Sequence, residues 1–269
     1  MPSVVIPVKN EEENIEKTLD NCQDLPLNKI IVILNGCTDN SKEVVKNHSL
    51  KKNIHIIEFT EPLGIDIPRA IGAAFAYKNN SPLVLFLDGD MQGTINNNLK
   101  DLITAVVENN IDMALTNCYP FITNRPALAN AVLRYRGNLN RCLGVFTQLG
   151  LANPCHGPHA VSRRLLEKVP WRALAIPPLS LAITIQNKLN VQVATSLSHS
   201  LLLSSLRNDD HNIYIAETII GDCLEALRHL EGLPPSREDN GINYLGYHPD
   251  RKFDVLEEYV EGLNLYDPQ

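Results

Sequence analysis

Four apolar, largely β-branched runs punctuate the first ninety positions: SVVIPV at 3–8, KIIVILNG at 29–36, NIHIIEFT at 53–60 and PLVLFLDGD at 82–90. Each is followed by a stretch with helical spacing: NEEENIEKTLDNC, CTDNSKEVVKNH, IPRAIGAAFAYKN and NNNLKDLITAVVEN. A strand whose apolar residues run continuously, without alternation, needs cover on both faces. Parallel strands joined by crossover helices provide that cover. The chain is therefore expected to be α/β, with a mostly parallel sheet and helices on both faces. Ligands of such sheets gather beyond the carboxyl ends of the strands. The residues directly after each run are thus the first candidates for a site.

Beyond residue 112 the pattern loosens. IDMALTNC (111–118) reads as a fifth strand and RPALANAVLRYRGNLNRCLG (125–144) as a basic helix. HAVSRRLLEKV (159–169) reads as a short helix and VQVATSL (191–197) as a later strand. NIYIAETIIGDCLEALRHLEG (212–232) reads as a long amphipathic helix with Ile215, Ile219, Cys223 (or Ile220) and Leu227 along its core stripe. The segment 236–269, rich in Pro, Gly, Asn and acids, reads as a tail packed on the outside. No repeat or low-complexity linker divides the 269 residues, so they are read as one domain.

Charge narrows the class of partner. The net charge of −7 gives no global reason to expect nucleic acid. Its distribution is uneven: between Met113 and Asn208 ten bases, among them Arg163, Arg164 and Arg207, face a single acid, Glu167. Such a window suggests a surface that meets anions. No apolar run reaches the roughly 18–20 residues that span a bilayer, and the start of the chain does not read as a secretory signal. The six cysteines are scattered without a C-x-x-C pair, which argues against a zinc cage or a disulfide scaffold. A reduced, cytoplasmic protein is the expectation.

The fourth run ends on Asp88-Gly89-Asp90. Two carboxylates one residue apart repel each other, and a divalent cation between them removes the repulsion. Mg²⁺ or Mn²⁺ prefers oxygen ligands and completes its shell with substrate phosphate. A cation–diphosphate site is therefore the favoured reading. An Asp-Gly turn that merely caps the next helix is the plain alternative. Trp171 could stack on a sugar ring, but a single tryptophan is more often a core anchor.

Taken in order and spacing, SVVIPVKNEEENIEKTL, KIIVILNGCTDNSKEVV, GIDIPRAIGAAFA and LVLFLDGDMQG resemble family-2-type glycosyltransferases of the GT-A fold, covering about the first 110 residues well. Downstream, VQVATSLSHSLLLSSLRND is similar to the stretch where glucosyl-phosphoglycerate synthases and their kin carry a metal-binding histidine. The resemblance implies metal-dependent transfer of a sugar from a nucleoside-diphosphate sugar to an acceptor, with Mg²⁺ or Mn²⁺. It divides the domain into a nucleotide-sugar half (1–112) and an acceptor half (113–235). Pro7, Glu11, Asn35, Gly36, Arg69, Asp88 and Gly89 would line the donor pocket; Asp88, Asp90 and His199 would hold the metal. For a small or phosphorylated acceptor, Arg163 and Arg164 of the basic window are the candidates. A homodimer is left open.

The chain also departs from that pattern. Relatives carry acids where this chain has Leu34-Asn35, and a lysine where it has Leu63. The segment matched to the acceptor loop, ALAIPPLSLAITIQNK, contains no acid to act as general base. Asp209, Asp210 and His211 are then the nearest substitutes, and inversion or retention stays open. Two other readings remain: a GT-A-like protein that binds nucleotide or sugar without catalysis, and a haloacid-dehalogenase-like phosphatase using Asp88 as nucleophile.

Overall fold

The computed structural model describes residues 1–121, 124–204 and 208–267. Its first half follows the alternation of the sequence: β1 (Ser3–Val8), α1 (Ile15–Asp20), β2 (Lys29–Asn35), α2 (Ser41–Asn47), β3 (Ile54–Phe59), α3 (Ile67–Lys78), β4 (Leu83–Phe86) and α4 (Asn96–Glu108). Then come β5 (Met113–Asn117), α5 (Ala127–Cys142), the single turn α6 (Phe146–Leu149), β6 (His159–Ser162) and the turns α7 (Arg163–Leu166) and α8 (Trp171–Leu174). The chain continues with α9 (Pro177–Gln186), β7 (Val191–Ser196), the turn α10 (His199–Leu202) and α11 (Asp209–Leu230). A small hairpin, β8 (Glu238–Asp239) with β9 (Ile242–Asn243), and α12 (Phe253–Gly262) complete it.

Seven strands form one sheet in the order β3-β2-β1-β4-β6-β5-β7. Every neighbouring pair is parallel except those made by β6, which runs against both β4 and β5. The reason for the continuous apolar runs is visible in β1. Val4, Ile6 and Val8 enter one core with Ile15 and Leu19 of α1 and Leu99 and Leu102 of α4. Val5 enters the opposite core with Ile67 and Ile71 of α3, Leu181 of α9 and Leu256 of α12. Fully burying each such side chain contributes about 1.5–3 kcal/mol. Helix α3 lies directly on β1 because Gly72 has no Cβ, which would otherwise overlap the Val5 side chain. A third cluster joins Val132 and Leu139 of α5 to Ala216, Ile220 and Cys223 of α11.

Three expectations change. Residues 159–162 form a strand, not the start of a helix, and the helix that follows is one turn long. Antiparallel pairing of Phe86 with His159 and of Leu83 with Ser162 holds these four residues extended. The first helix begins at Ile15 instead of just after Asn10. The stripe of α11 is wider than expected: Ile220 and Cys223 are buried as expected, Ala216, Ala226 and Asp222 are buried with them, and Ile219 and Leu227 pack partly buried against the cluster. Trp171 is a core anchor, 3% exposed and edge-on to Tyr77. The six cysteines are unpaired. Among the described residues no helix is long and apolar enough to cross a membrane.

Candidate functional site

Ligands of a parallel sheet gather in the crevice beyond the carboxyl ends of its strands, and the Asp88-Gly89-Asp90 turn follows that end of β4. Thr18 of α1 and Asn21, which caps its C-terminus, fasten this turn. The Thr18 hydroxyl donates toward the carbonyls of Gly89 (3.0 Å) and Met91 (3.1 Å). The Asn21 amide donates to Gly93 O at 2.8 Å, and its oxygen accepts from Ile95 N at 2.9 Å. Gly89 is required because a Cβ there would lie 2.8 Å from Pro7 O. Glu11, 6% exposed, stands next to the same glycine and accepts from Asn14 Nδ2 at 2.7 Å. The structure brings Pro7 and Glu11 beside the Asp88-Gly89-Asp90 turn. Thr18 and Asn21 carry no clear sequence signal of this role, lying among the buried Ile15, Leu19 and Cys22.

Asp88 is ion-paired to Arg69 of α3. Arg69 also faces Asp66, with Nε 3.6 Å from Oδ1. Asp66 holds a left-handed backbone, φ 64°, immediately before α3. Its other oxygen accepts from Arg251 Nη2 at 3.1 Å. Arg251 has a wholly buried side chain and binds Asp222 with both terminal nitrogens, at 2.7 and 2.8 Å. Arg237 reaches Asp222 at 2.8 Å and Glu225 at 3.0 Å. A chain of alternating charges thus runs from α11 and the C-terminal segment to the tip of β4. Burial pushes the Asp222 carboxyl up, but Arg251 and Arg237 outweigh it and hold the group below its ordinary range. For Asp66 burial prevails over Arg69 and Arg251, and its pKa is raised.

Across the crevice, α10 docks on the far end of the Asp88–Gly93 loop: Gly93 N donates to Leu202 O at 3.0 Å. This brings His199 to the rim, where its backbone N–H donates to Cys118 O at 3.0 Å. Its Nδ1 lies 3.1 Å from His156 Nε2. His156 stacks on Tyr119 at a ring separation of 5.4 Å, and Arg136 lies over the Tyr119 ring at the same distance. Burial, then the Arg136 charge, keeps the His156 ring neutral far below its ordinary pKa, and the same two causes lower His199. Arg136 is 1% exposed. It donates to Leu151 O at 2.8 Å, its Nε has no hydrogen-bond partner, and among the described residues it forms no ion pair. Its position in a basic helix gave no hint of this setting.

The donor chemistry fits a divalent cation: the carboxylates of Asp88 and Asp90 and the neutral imidazole of His199. These three do not converge as tightly as the set Asp222, Glu225 and His248, whose ligand atoms lie within 4.8 Å of one another. That set holds guanidinium groups already, since Arg237 bridges Asp222 and Glu225, and Arg251 lies 2.7 Å from Asp222 and 3.2 Å from His248 Nδ1. It is an ion-pair knot.

The remaining candidates fall elsewhere. Asn35 uses its amide on the adjacent loop, accepting from Leu63 N at 2.7 Å and donating to Gly64 O at 3.3 Å. Leu34 and Leu63 are buried. Gly36, φ 64°, lets this loop approach, because a Cβ would lie 2.7 Å from Pro62 N. Arg163 and Arg164 sit at the amino end of the parallel strands, away from the crevice. Arg163 N donates to Pro82 O, its side chain donates to Tyr77 O, and Arg164 pairs with Asp112. The antiparallel course of β6, invisible in the sequence, carries them there. Asp209 and Asp210 are exposed in the first turn of α11, where acids favour the helix dipole. His211 Nδ1 lies 2.8 Å from the Tyr247 hydroxyl. The segment matched to an acceptor loop is helical instead, with Leu181 and Ala182 fully buried, so packing accounts for its lack of acids. Arg207 lies outside the described residues.

The sequence model of the family described as glycosyl transferase family 2 matches residues 3–169. Glycosyltransferase AglE of Haloferax volcanii is 36% identical over 93 residues, 33% of this chain and 30% of that protein. The chain therefore spans less than a third of this curated relative. Two solved structures of glucosyl-3-phosphoglycerate synthase from Mycobacterium tuberculosis are similar in fold. The complex with Mn²⁺, UDP and glucosyl-3-phosphoglycerate has a TM-score of 0.62 at 19% identity, covering 90% of this chain and 82% of that one. The complex with Mn²⁺ and UDP-glucose has a TM-score of 0.64 at 18% identity, covering 90% and 81%. The likeness establishes the GT-A arrangement of sheet and helices.

Proposed function

We propose, since the chain belongs to glycosyl transferase family 2, that it transfers a sugar from a nucleoside diphosphate to an anionic acceptor with the help of a divalent cation. The observation that carries this reading is the Asp88-Gly89-Asp90 turn. It is clamped by Thr18 and Asn21 at the crevice end of β4, with the His199 turn docked on its far end. Asp90 and His199 would hold the cation, with Asp88 shared between it and Arg69. When bound, a divalent cation there would neutralise the charge that develops on the leaving diphosphate. An imidazole in the set favours Mn²⁺ over Mg²⁺.

The protein's own groups do the rest. Arg69, fixed by Asp66 and Asp88, adds positive charge on the α3 side of the crevice. Asn35 and Gly36 shape the rim where the base would lie by fastening the 63–64 backbone. On the opposite rim Tyr119 and Arg125 form a cationic aromatic face, with Arg125 5.1 Å from the Tyr119 ring and the buried Arg136 5.4 Å from it. We assign an anionic acceptor to this face in preference to Arg163 and Arg164. The solved complexes of the Mycobacterium tuberculosis enzyme include one with phosphoglyceric acid, which supports an anionic class. The phosphatase reading is set aside because the chain belongs to a transferase family.

The test is a thermal-shift screen of UDP-, GDP-, ADP- and TDP-sugars with Mg²⁺ or Mn²⁺, followed by detection of sugar release and transfer. A bound donor at a hundredfold excess over Kd stabilises by about 2.7 kcal/mol. Asp90→Ala is expected to remove the cation-dependent part of that shift. A shift that survives unchanged in Asp90→Ala would refute the metal assignment. Binding without any hydrolysis or transfer would instead identify a non-catalytic binder.

A further inference from the structure

The C-terminal segment contributes a group that the donor crevice depends on. Arg251 stands far from Asp88 in sequence, yet its wholly buried guanidinium is the central member of the charge chain that ends there. It binds Asp222 twice and Asp66 once, and its Nε donates to Ile65 O at 3.3 Å. The neighbouring backbone engages the same loop. Lys252 N donates to Leu63 O at 2.9 Å, and Gly64, φ 82°, lies so close to Asp250 O that a Cβ would overlap it. The loop 63–66 is therefore held on one side by Asn35 and on the other by residues 250–252.

This arrangement has a direct consequence for Asp66. Aspartate enters the left-handed region more readily than most side chains, but at some cost, and its surroundings then fix it there. Arg251 supplies that constraint by holding one Asp66 oxygen while the other faces Arg69. Arg69 in turn reaches Asp88. With the guanidinium of Arg251 absent, the buried carboxylates would each lose a partner, leaving Asp222 to Arg237 and Asp66 to Arg69 alone. Asp66 would then draw Arg69 toward itself and away from Asp88.

We propose that Arg251 is a positioning residue for the donor site, acting through Asp66 and Arg69 to set the orientation of Asp88. The inference rests on the reading of the crevice as a nucleotide-sugar site, but part of its test does not need that reading. Arg251→Lys keeps the charge and loses the fork that spans Asp222 and Asp66. Asp66→Asn keeps the left-handed backbone, which asparagine tolerates, and loses the charge.

Two measurements on the full chain decide the matter. The first is amide hydrogen exchange. Either substitution is expected to speed exchange at 63–69 and also at 88–93, the turn that Arg251 does not touch. Faster exchange confined to 63–69 would overturn the proposal and leave Arg251 a local brace. The second is steady-state kinetics with the donor identified by the thermal-shift screen. Donor KM is expected to rise about fivefold to tenfold while kcat changes less, a size typical of residues that modulate a distant site. The double variant should be no worse than the poorer single one, because both act along one chain. Unchanged donor KM in variants with lowered melting temperature would also overturn it. If the wild-type chain binds no nucleotide sugar, the function fails, and the exchange result at 88–93 still decides this inference.

Discussion

Two arginine–aspartate assemblies brace opposite ends of the same sheet, and they differ in what surrounds them. At the amino end, Asp112 accepts from Ser162 Oγ at 2.7 Å, Arg164 Nε at 2.8 Å and Asn190 N at 2.9 Å. Its partner Arg164 is 55% exposed, so the charge is dispersed into water. At the crevice end, Asp222 meets Arg237 and Arg251, whose side chains are 6% and 0% exposed. Solvent screening weakens the first pair, and low dielectric makes the second both strong and unforgiving. The same residue types thus tie down an edge at one end and organise a site at the other. Density of arginine along the sequence cannot separate the two; only the environment of each side chain can.

The sharpest way to break this comparison is to remove one acid from each assembly. Asp222→Ala leaves Arg237 and Arg251 buried with too little negative charge, and is expected to cost about 3–5 kcal/mol of unfolding free energy. Asp112→Ala strands fewer buried donors and is expected to cost about 1–3 kcal/mol. Urea unfolding of both variants provides the check. An equal or larger loss for Asp112→Ala would show that the crevice network has no special standing.

Acid offers a second, graded test. Burial and then Arg69 lower the His159 pKa to about 3, and burial and then Arg237 and Arg251 lower that of His248 to about 4. Both are neutral in the folded state at pH values where the unfolded chain, with a histidine pKa near 6.5, takes up protons. Their stabilising contribution is therefore complete above about pH 6.5 and is lost as the pH falls toward 4 and then 3. At the other end, burial pushes the Asp112 carboxyl up, but the Arg164 and Ser162 hydrogen bonds prevail and hold it below its ordinary value. Its contribution is lost only once the pH falls below about 4. Amide exchange followed from pH 7 to 4 is expected to loosen the segment around His248 before that around Asp112. Simultaneous loosening would contradict the assignment.

The two ends also differ in how far the sequence revealed them. Continuous apolar runs located β1 to β4, and the position of Asp88 and Asp90 after the fourth run located the crevice. These signals are local in the chain. What stayed hidden depends on contacts across it. HAVS gave no strand signal because a four-residue antiparallel strand, followed at once by RRLLEKV, carries too little periodicity of its own. That omission misplaced Arg163 and Arg164. Asp222 sits one position before Cys223 in an apolar stripe and resembles an ordinary polar neighbour. Arg251 lies in a segment rich in turn formers, with Asp66 far up the chain. Nothing in either stretch announces the other. Thr18 and Asn21 had a faint signal, as polar residues three apart at the end of α1 and its cap, among buried apolar neighbours.

The smallest effect belongs to the exposed member of the amino-end pair. Arg164 is held by Asp112, while Asp112 keeps two further donors in Ser162 and Asn190 when the guanidinium is taken away. The Arg164→Gln chain is therefore expected to unfold at nearly the wild-type midpoint, and to bind donor and use acceptor as before. Arg136→Gln should behave differently, since Arg136 is buried behind Tyr119 at the crevice: use of an anionic acceptor should fall several-fold with donor binding kept. Kinetics with a charged acceptor and its neutral analogue would separate the two. If Arg164→Gln instead lost the preference for charge and Arg136→Gln kept it, the anion would have to bind at the amino end of the sheet. The location of the acceptor face argued from Tyr119, Arg125 and Arg136 would then be wrong.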